Sequence, residues 1–407
     1  MVTYEPETVK GFQDFLPPES QKFEAIKSIV KKQFELYGFL PLKTPTIEFD
    51  ELMRTHNLEQ EDEAVSDRFR LQDRGGRSLG LRYEFTFQLA RIFKQHPTIK
   101  LPFRRYQIGQ VFRDEPTGQG RFKEFTQCDA DIIGDSSMNA DAECIALWSD
   151  ILRELNIEPE IHVSNKKLAY SILESIKLEQ KQEILKELDK IDKLGEDAIK
   201  TNLKKYADAN QILTLFKLLE KDLNFFVKNL FDGAEEIFRV QEKGKQQGFT
   251  IKFNPLIVRG LSYYTGNVVE FKVPGGKHTL GGGGRYDGVA GRFLNRAIPS
   301  VGISFSIERL MELARIKINN PKVIIISLDK DKEAQKLAQK MRKDSIACIV
   351  SSEKPGKALE YANAYQIQNA IFIGSEEIAK GKFKLKNMQS GEEKDVSEKQ
   401  LLKALKK

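Results

Sequence analysis

Cysteine is scarce. Cys128, Cys144 and Cys348 are an odd number, lie far apart and show no CxxC spacing. That excludes a disulfide framework and a cysteine zinc site, and predicts a reducing compartment, the cytoplasm. The four histidines, His56, His96, His162 and His278, are isolated and form neither a metal set nor a catalytic triad. No stretch approaches the roughly 18 consecutive apolar residues of a membrane span. Met1 to Pro6 show no basic start leading into an apolar run, so no secretory signal is expected. The GxGxxG and GxxxxGKS spacings are missing too, which excludes Rossmann and P-loop fingerprints. Proline is absent from Ile161 to Asn254.

What is present suffices for a sizeable core. Hydrophobic residues make up 40% of the 407 positions and charged residues 30%. At about 150 residues per domain, the length suggests two or three domains. The net charge of +6 is unevenly placed. Residues 321–407 hold 18 Lys/Arg against 12 Asp/Glu, and the first 320 residues hold 47 of each. A basic terminal module favours an anionic partner such as nucleic acid. Charge alone fits a lysine-rich solvated surface equally well.

The periodicity predicts an amphipathic helix over 19–37, with Phe23, Ile26, Val30 and Phe34 on one face and Gly38 at its end. Residues 39–45 read as a strand whose two prolines place it at an edge or interface. Residues 103–113 and 122–133 read as two strands joined by the breaker-rich turn 114–121. Along the second strand Gln127, Asp129 and Asp131 point the same way, which suggests either a wet cleft or the solvent face of a sheet. The proline-free segment, dense in Lys, Glu, Leu and Ile, reads as several helices inserted between sheet-rich parts. Strand-like runs follow at 256–258 and 267–271, then Gly281-Gly282-Gly283-Gly284, then a strand running into a helix over 300–310. Asn319-Asn320-Pro321 makes a linker. Beyond it, Val323–Ile326 and Ala370–Gly374 are short buried-strand runs between helical segments, the pattern of a small α/β domain.

Arginine grips phosphate with a planar, permanently charged fork. Arg113 ends a strand, Arg121 follows the turn, Arg259 precedes Gly260, and Arg309 opens a helix. Each alone reads as readily as a surface salt-bridge partner. Tyr263-Tyr264 before Thr265-Gly266 can supply hydroxyls to a small polar ligand, or form a core pair. The glycine run lets backbone approach a ligand closely.

Taken together, these segments resemble the histidyl-tRNA synthetase family of class II aminoacyl-tRNA synthetases. The resemblance covers almost the whole chain, from Lys10-Gly11-Phe12-Gln13-Asp14-Phe15-Leu16-Pro17 onward. Tyr37 to Pro45 looks like motif 1, the dimer element. Leu81 to Thr86 resembles the amino-acid-binding segment, Phe112 to Phe125 resembles motif 2, and Gly302 to Arg309 resembles motif 3. Thr126 to Asp131 takes a form similar to the archaeal and eukaryotic branch. Val258-Arg259-Gly260-Leu261-Ser262-Tyr263-Tyr264-Thr265-Gly266 looks like the histidine-specific signature, and is the most specific piece. Ser262 stands where the family usually has an acidic residue.

The resemblance implies an α/β (α+β) protein: a catalytic domain over 1–320 on a mostly antiparallel sheet, interrupted by a helical insertion at about 165–250, and an anticodon-binding domain over 321–407. It implies ATP-dependent attachment of L-histidine to tRNA(His) through a histidyl-adenylate, with Mg2+ on the ATP phosphates, in a cytoplasmic homodimer with no membrane association. By similarity, Arg113 binds the α-phosphate, Arg259 stabilises charge developing there, and Arg309 holds the γ-phosphate. Glu115 and Arg121 join the ATP set. Glu84, Phe85, Thr86 and Gln127 belong to the set that takes the substrate ammonium and backbone groups. Asp131, with Tyr263 and Tyr264, reads the imidazole. The alternative is a non-catalytic paralogue, either a regulatory subunit of ATP phosphoribosyltransferase or a tRNA-sensing module. The regulatory paralogue lacks the anticodon domain that this chain keeps.

Overall fold

A computed structural model describes residues 6–53, 67–118, 120–257, 263–275, 279–318 and 321–405. The chain divides into two compact units, Met1–Asp14 with Ile26–Ile316 and Phe15–Ala25 with Lys317–Lys407.

The first unit is built on an eight-stranded sheet of order β1-β5-β6-β11-β10-β9-β7-β8. Its strands are β1 (Leu40–Pro41), β5 (Phe103–Phe112), β6 (Glu124–Ile133), β7 (Glu160–Asn165), β8 (Ile251–Phe253), β9 (Asn267–Lys272), β10 (Thr279–Arg285) and β11 (Ser300–Ser306). All neighbours are antiparallel except β1 with β5 and β7 with β8. The proline-bearing β1 lies at the sheet edge, where a missing N–H costs no ladder bond. A separate three-stranded sheet pairs β2 (Ile47–Phe49), β4 (Ser78–Leu81) and β3 (Arg70–Gln72). Between β7 and β8 run seven helices, from Lys166–Ser175 to Ala234–Gln246, as expected of a proline-free stretch of helix formers. The strand expected at 256–258 is not one: β8 stops at Phe253, before Pro255, and Asn254 turns the chain by accepting a hydrogen bond from Leu256 N at 3.0 Å. Val258 lies outside the described residues.

One face of the large sheet is apolar. Cys128, Ala130 and Ile132 of β6 and Val301, Ile303 and Phe305 of β11 alternate onto it, and all are buried. Helix Met138–Glu154 packs there through Trp148, whose indole stacks on Phe305 at 4.0 Å and donates to Ile303 O at 3.1 Å. Phe34, from helix Glu19–Leu36, meets Trp148 edge-on at 5.5 Å, so the predicted helix face of Ile26, Val30 and Phe34 enters this core. The glycine run is not a ligand loop but central strand β10. At Gly283 a Cβ would sit 1.9 Å from Gly302 O, and at Gly281 it would sit 2.4 Å from the Phe305 ring. The strands therefore approach each other only because side chains are missing.

The second unit carries a five-stranded sheet of order β13-β12-β14-β15-β16. Its strands are β12 (Val323–Ser327), β13 (Cys348–Ser351), β14 (Asn369–Ile373), β15 (Lys382–Asn387) and β16 (Glu393–Ser397). The run Val323-Ile324-Ile325-Ile326 is buried on both faces. Val323 and Ile325 pack with Leu337, Met341 and Leu401, while Ile324 and Ile326 pack with Ala358 and Ala362. Helices on both sides explain why this strand is continuously apolar. The edge strand β16 instead carries Glu393, Lys394 and Asp395, with Lys386 on β15 pairing Glu393 at 3.1 Å.

Gly283→Ala drives a methyl into backbone that cannot rotate away, so it is expected to cost at least the about 1–3 kcal/mol of ordinary overpacking. The sole tryptophan, Trp148, packs behind the same strands. Its fluorescence during urea unfolding measures the loss; an unchanged midpoint refutes the packing account.

Candidate active site

The second face of the large sheet is polar. The β5–β6 register sets Arg105, Gln107 and Gly109 opposite Asp131, Asp129 and Gln127. On the other side, Asp131, Asp129 and Gln127 face Gly302, Ser304 and Ser306 of β11. Arg105, Gln107, Gln127, Asp129 and Asp131 are all buried. The face is thus not the solvent half of a sheet: its polar groups are buried, with residues 84–87 and Tyr263, Tyr264 and Tyr286 around them. Phe85 O accepts from Arg105 Nη2 at 3.2 Å, and the Tyr286 hydroxyl donates to Asp131. Tyr263 and Tyr264 lie 4.5 Å apart by ring centroid, and Tyr263 packs edge-on against both Phe87 and Tyr286.

Within this layer each polar group is oriented by another. Gln127 donates to both oxygens of Asp129, at 2.9 and 3.1 Å, and accepts from Arg113 Nη2 at 3.4 Å. Asp131 pairs with Arg105 at 2.9 Å. A Cβ at position 302 would lie 2.0 Å from Asp131 Oδ1, so glycine there makes the room that this carboxylate occupies. Glu84 accepts from Phe87 N at 3.0 Å at the start of helix Phe87–Gln95, with the Thr86 hydroxyl as a second partner. Phe85 is fully buried and its ring lies under the Arg82 guanidinium, so its carbonyl is the part that faces the layer.

Burial dominates the electrostatics. It lifts the Glu84 carboxyl from 4.5 to about 7, helped by the neighbouring charge of Asp129. Burial also lifts Asp131 to about 6, with Arg105 opposing the rise and Asp129 adding to it. Tyr263, Tyr264 and Tyr286 are pushed up by burial, so each keeps its proton and can donate.

At one end of the layer cations gather. The Arg113 guanidinium lies between the Tyr83 and Phe125 rings, 4.4 and 5.0 Å from their centroids. Tyr83 in turn donates to Glu115 at 2.8 Å. Arg309, in the first turn of helix Ile307–Leu313, donates to Thr279 O at 3.0 Å. Its pKa is lowered by burial first and then by the charges of Arg121 and Arg113, with Glu115 and Glu312 opposing. Glu308 beside it is buried and accepts from Thr126 N at 2.7 Å, tying β6 to this helix. Three arginines within electrostatic reach of one another make a seat for a polyanion.

The structure therefore brings Glu84, Thr86, Gln127, Asp131, Tyr263 and Tyr264 together on one face, with Arg113, Arg121, Glu115 and Arg309 at its end. Arg259 and Ser262 lie outside the described residues. Sequence reasoning passed over Arg105, Ser304, Tyr286 and Glu308. Arg105 had a signal, since it alternates with Gln107 and Gly109 on the face that pairs with Asp131, Asp129 and Gln127; Tyr286 had none.

A carboxyl whose folded pKa lies above its ordinary value stabilises the fold at low pH, and that stabilisation is lost as pH rises through the folded value. Glu84→Gln is therefore expected to raise the thermal unfolding temperature of the free protein above pH 7, with the gain vanishing below about pH 4.5. Melting curves across that range check it, and a gain that does not depend on pH counts against it.

Residues 11–310 match the family described as histidyl-tRNA synthetase, and residues 322–407 match the anticodon binding domain family. The chain is 36% identical over 416 aligned positions to histidine–tRNA ligase 1 of Bacillus cereus, covering 96% of this chain and 95% of that one. A crystal structure of histidyl-tRNA synthetase from Nostoc sp. PCC 7120 superposes with a TM-score of 0.87 at 25% identity, covering 99% of both chains. A Bacillus halodurans structure described as an ATP phosphoribosyltransferase regulatory subunit/histidyl-tRNA synthetase shares the fold, with a TM-score of 0.75 at 22% identity and coverage of 91% of this chain and 99% of that one. With the family match spanning most of its length and the anticodon-type unit following it, the chain belongs to the histidyl-tRNA synthetase family.

Proposed function

We propose that the chain is a histidine–tRNA ligase: it activates L-histidine with ATP and transfers it to tRNA(His). The observation that carries this reading is the continuity of the buried polar face with the arginine cluster, because adenylate formation needs an amino-acid pocket opening onto a phosphate seat. Residues 1–320, with the helical insertion at about 165–250, carry the chemistry. Residues 321–407, which hold the whole net positive charge, engage the anticodon region of the tRNA.

In the first step an oxygen of the histidine carboxylate attacks the α-phosphorus of ATP. The bond to the bridging oxygen breaks and pyrophosphate leaves. The protein contributes positioning and charge neutralisation rather than a covalent intermediate. Arg113, braced between two rings, holds the α-phosphate. Arg259 meets the charge that grows there, and Arg309 with Arg121 holds the outer phosphates. Glu84 and Gln127 take the substrate ammonium, with Thr86 beside Glu84. Asp131 accepts from one imidazole nitrogen while Tyr264, still protonated, donates to the other. In the second step the terminal adenosine of the tRNA takes the acyl group and AMP leaves. Among the described residues no group of three or more His, Cys, Asp or Glu stands together to hold a metal. Mg2+ accompanies the ATP phosphates. The convergence of the arginines favours this reading over a non-catalytic paralogue, which has no need of a phosphate seat.

The working form is a homodimer, and its place is the cytoplasm. Among the described residues no helix is long and apolar enough to cross a membrane. On the three-stranded sheet, Ile47, Phe49 and Leu71 lie on one face with 47%, 49% and 41% of their surface exposed. Leu40 on the neighbouring β1 is also exposed, so an apolar surface accompanies the motif 1 segment. Sedimentation is expected to give a dimer at micromolar concentration, and Phe49→Asp is expected to shift it to monomer. A wild-type monomer under those conditions overturns the assignment.

Histidine-dependent ATP–pyrophosphate exchange, followed by charging of tRNA(His), tests the function itself. Arg259→His is expected to lower exchange by about 10²–10³, the usual cost of losing one preorganised donor to a developing charge, with little change in KM for histidine. Near-normal exchange in the folded variant removes Arg259 from its role.

A further inference from the structure

Arg105 is fully buried on β5, an unusual place for a permanent charge. Its Nη2 lies 2.9 Å from Asp131 Oδ2 as an ion pair and donates to Phe85 O at 3.2 Å, while Arg105 Nε and Nη1 and Asp131 Oδ2 make no hydrogen bond among the described residues. A guanidinium held only for stability is better satisfied than this, and a buried ion pair is often no more stable than well-packed apolar side chains. The charge therefore serves the layer around it. We propose that Arg105 is a positioning residue for histidine recognition: from inside the sheet it holds Asp131 as an ionised hydrogen-bond acceptor and cancels the excess negative charge of Asp129 beside it. The proposal rests on the reading of this pocket as the histidine site.

The groups facing Asp131 from each packed element explain why the arginine is needed. Asp129 stands two residues away on the same strand and the same face, and is also buried. Tyr286, following β10, and Tyr264 both keep their protons, so they can donate but carry no charge. Cys144, on the helix behind the sheet, is held protonated by burial. Glu84 is a third carboxyl whose charge acts on Arg105. β11 offers only Gly302. Among the described groups acting on Asp131, Arg105 is the one positive charge. Two buried carboxyls this close share a proton unless a cation separates them. A protonated Asp131 donates where the imidazole N–H requires an acceptor, so the arginine decides which way that hydrogen bond runs.

The test is the pH profile of kcat/KM for histidine in pyrophosphate exchange, with folding verified by Trp148 fluorescence. Free histidine itself titrates near 6.5, but that limb belongs to the substrate and is common to all variants. Arg105→Met is expected to raise KM by about tenfold or more near neutrality, with a smaller effect on kcat, and to move the acid limb up by about one pH unit or more. Raising the pH then recovers much of the loss. Arg105→Lys keeps the limb near its wild-type position. Arg105→Met combined with Asp129→Asn removes both opposing charges, while the asparagine oxygen still accepts from Gln127, and brings the limb back. Asp129→Asn alone moves the limb to lower pH, and this arm decides the matter if Arg105→Met does not fold. Losses independent of pH, with no rescue by Asp129→Asn and no shift from it alone, reduce Arg105 to a structural residue and overturn the proposal. Wild-type exchange that needs no histidine overturns instead the reading on which it rests.

Discussion

A buried sheet face that carries arginine, glutamine and two aspartates must find most of their partners within the protein, and much of the first unit can be read as the answer to that problem. Charge must be matched to charge along the β5–β6–β11 register, or the layer costs several kcal/mol per unpaired ion. The register does this by setting Arg105 across from Asp131 and letting Asp129 hold Gln127 in place. A side chain must also be left out where a carboxylate needs room, which is why Gly302 lies beside Asp131, while the β10 glycines make room for neighbouring backbone and the Phe305 ring. The opposite face contributes the stability that a polar layer lacks: Trp148, Phe305, Phe34 and Phe271 form a continuous aromatic core behind it.

The same economy governs the arginine end. Arg113, Arg121 and Arg309 repel one another, and the fold restrains them by non-ionic means as well as through nearby acids. Arg113 is clasped by two aromatic faces, where its delocalised charge is partly desolvated without being neutralised. Arg309 is fixed by a backbone carbonyl, and the Glu308 carboxylate next to it reaches a backbone amide rather than an arginine. The cations thus stay available to a ligand while their positions are set.

Much of this was legible in the chain. Amphipathic spacing placed the helix from Glu19, and alternation along β6 put Gln127, Asp129 and Asp131 on one face. The continuous apolar run at 323–326 announced a strand covered on both sides. Family motifs gave the candidate residues their roles, which no periodicity could supply. What stayed hidden was tertiary. The burial of the polar face depends on residues far apart in sequence closing over it, so a strand pattern alone left open a wet cleft or a solvent face. The four glycines read as a place for ligand approach because sequence cannot show that neighbouring strands fill the space their missing side chains leave. Leu256 and Ile257 looked extended by composition, and Pro255 with the Asn254 side chain overrode that preference. Tyr286 reaches Asp131 only through the fold.

The second unit ends its sheet differently from the first. Its outermost strand, β16, carries Glu393, Lys394 and Asp395, and β15 beside it carries Lys382, Lys384 and Lys386. A charged margin of this kind resists the addition of another strand, so the sheet does not grow into fibrils by edge-to-edge pairing. It also limits how the unit can engage a partner. An extended peptide docking by backbone pairing meets alternating charges here, whereas a flexible polyphosphate chain can lie along the lysines without needing any ladder. The ornament that keeps the sheet from aggregating therefore also biases it toward nucleic acid and away from protein strands.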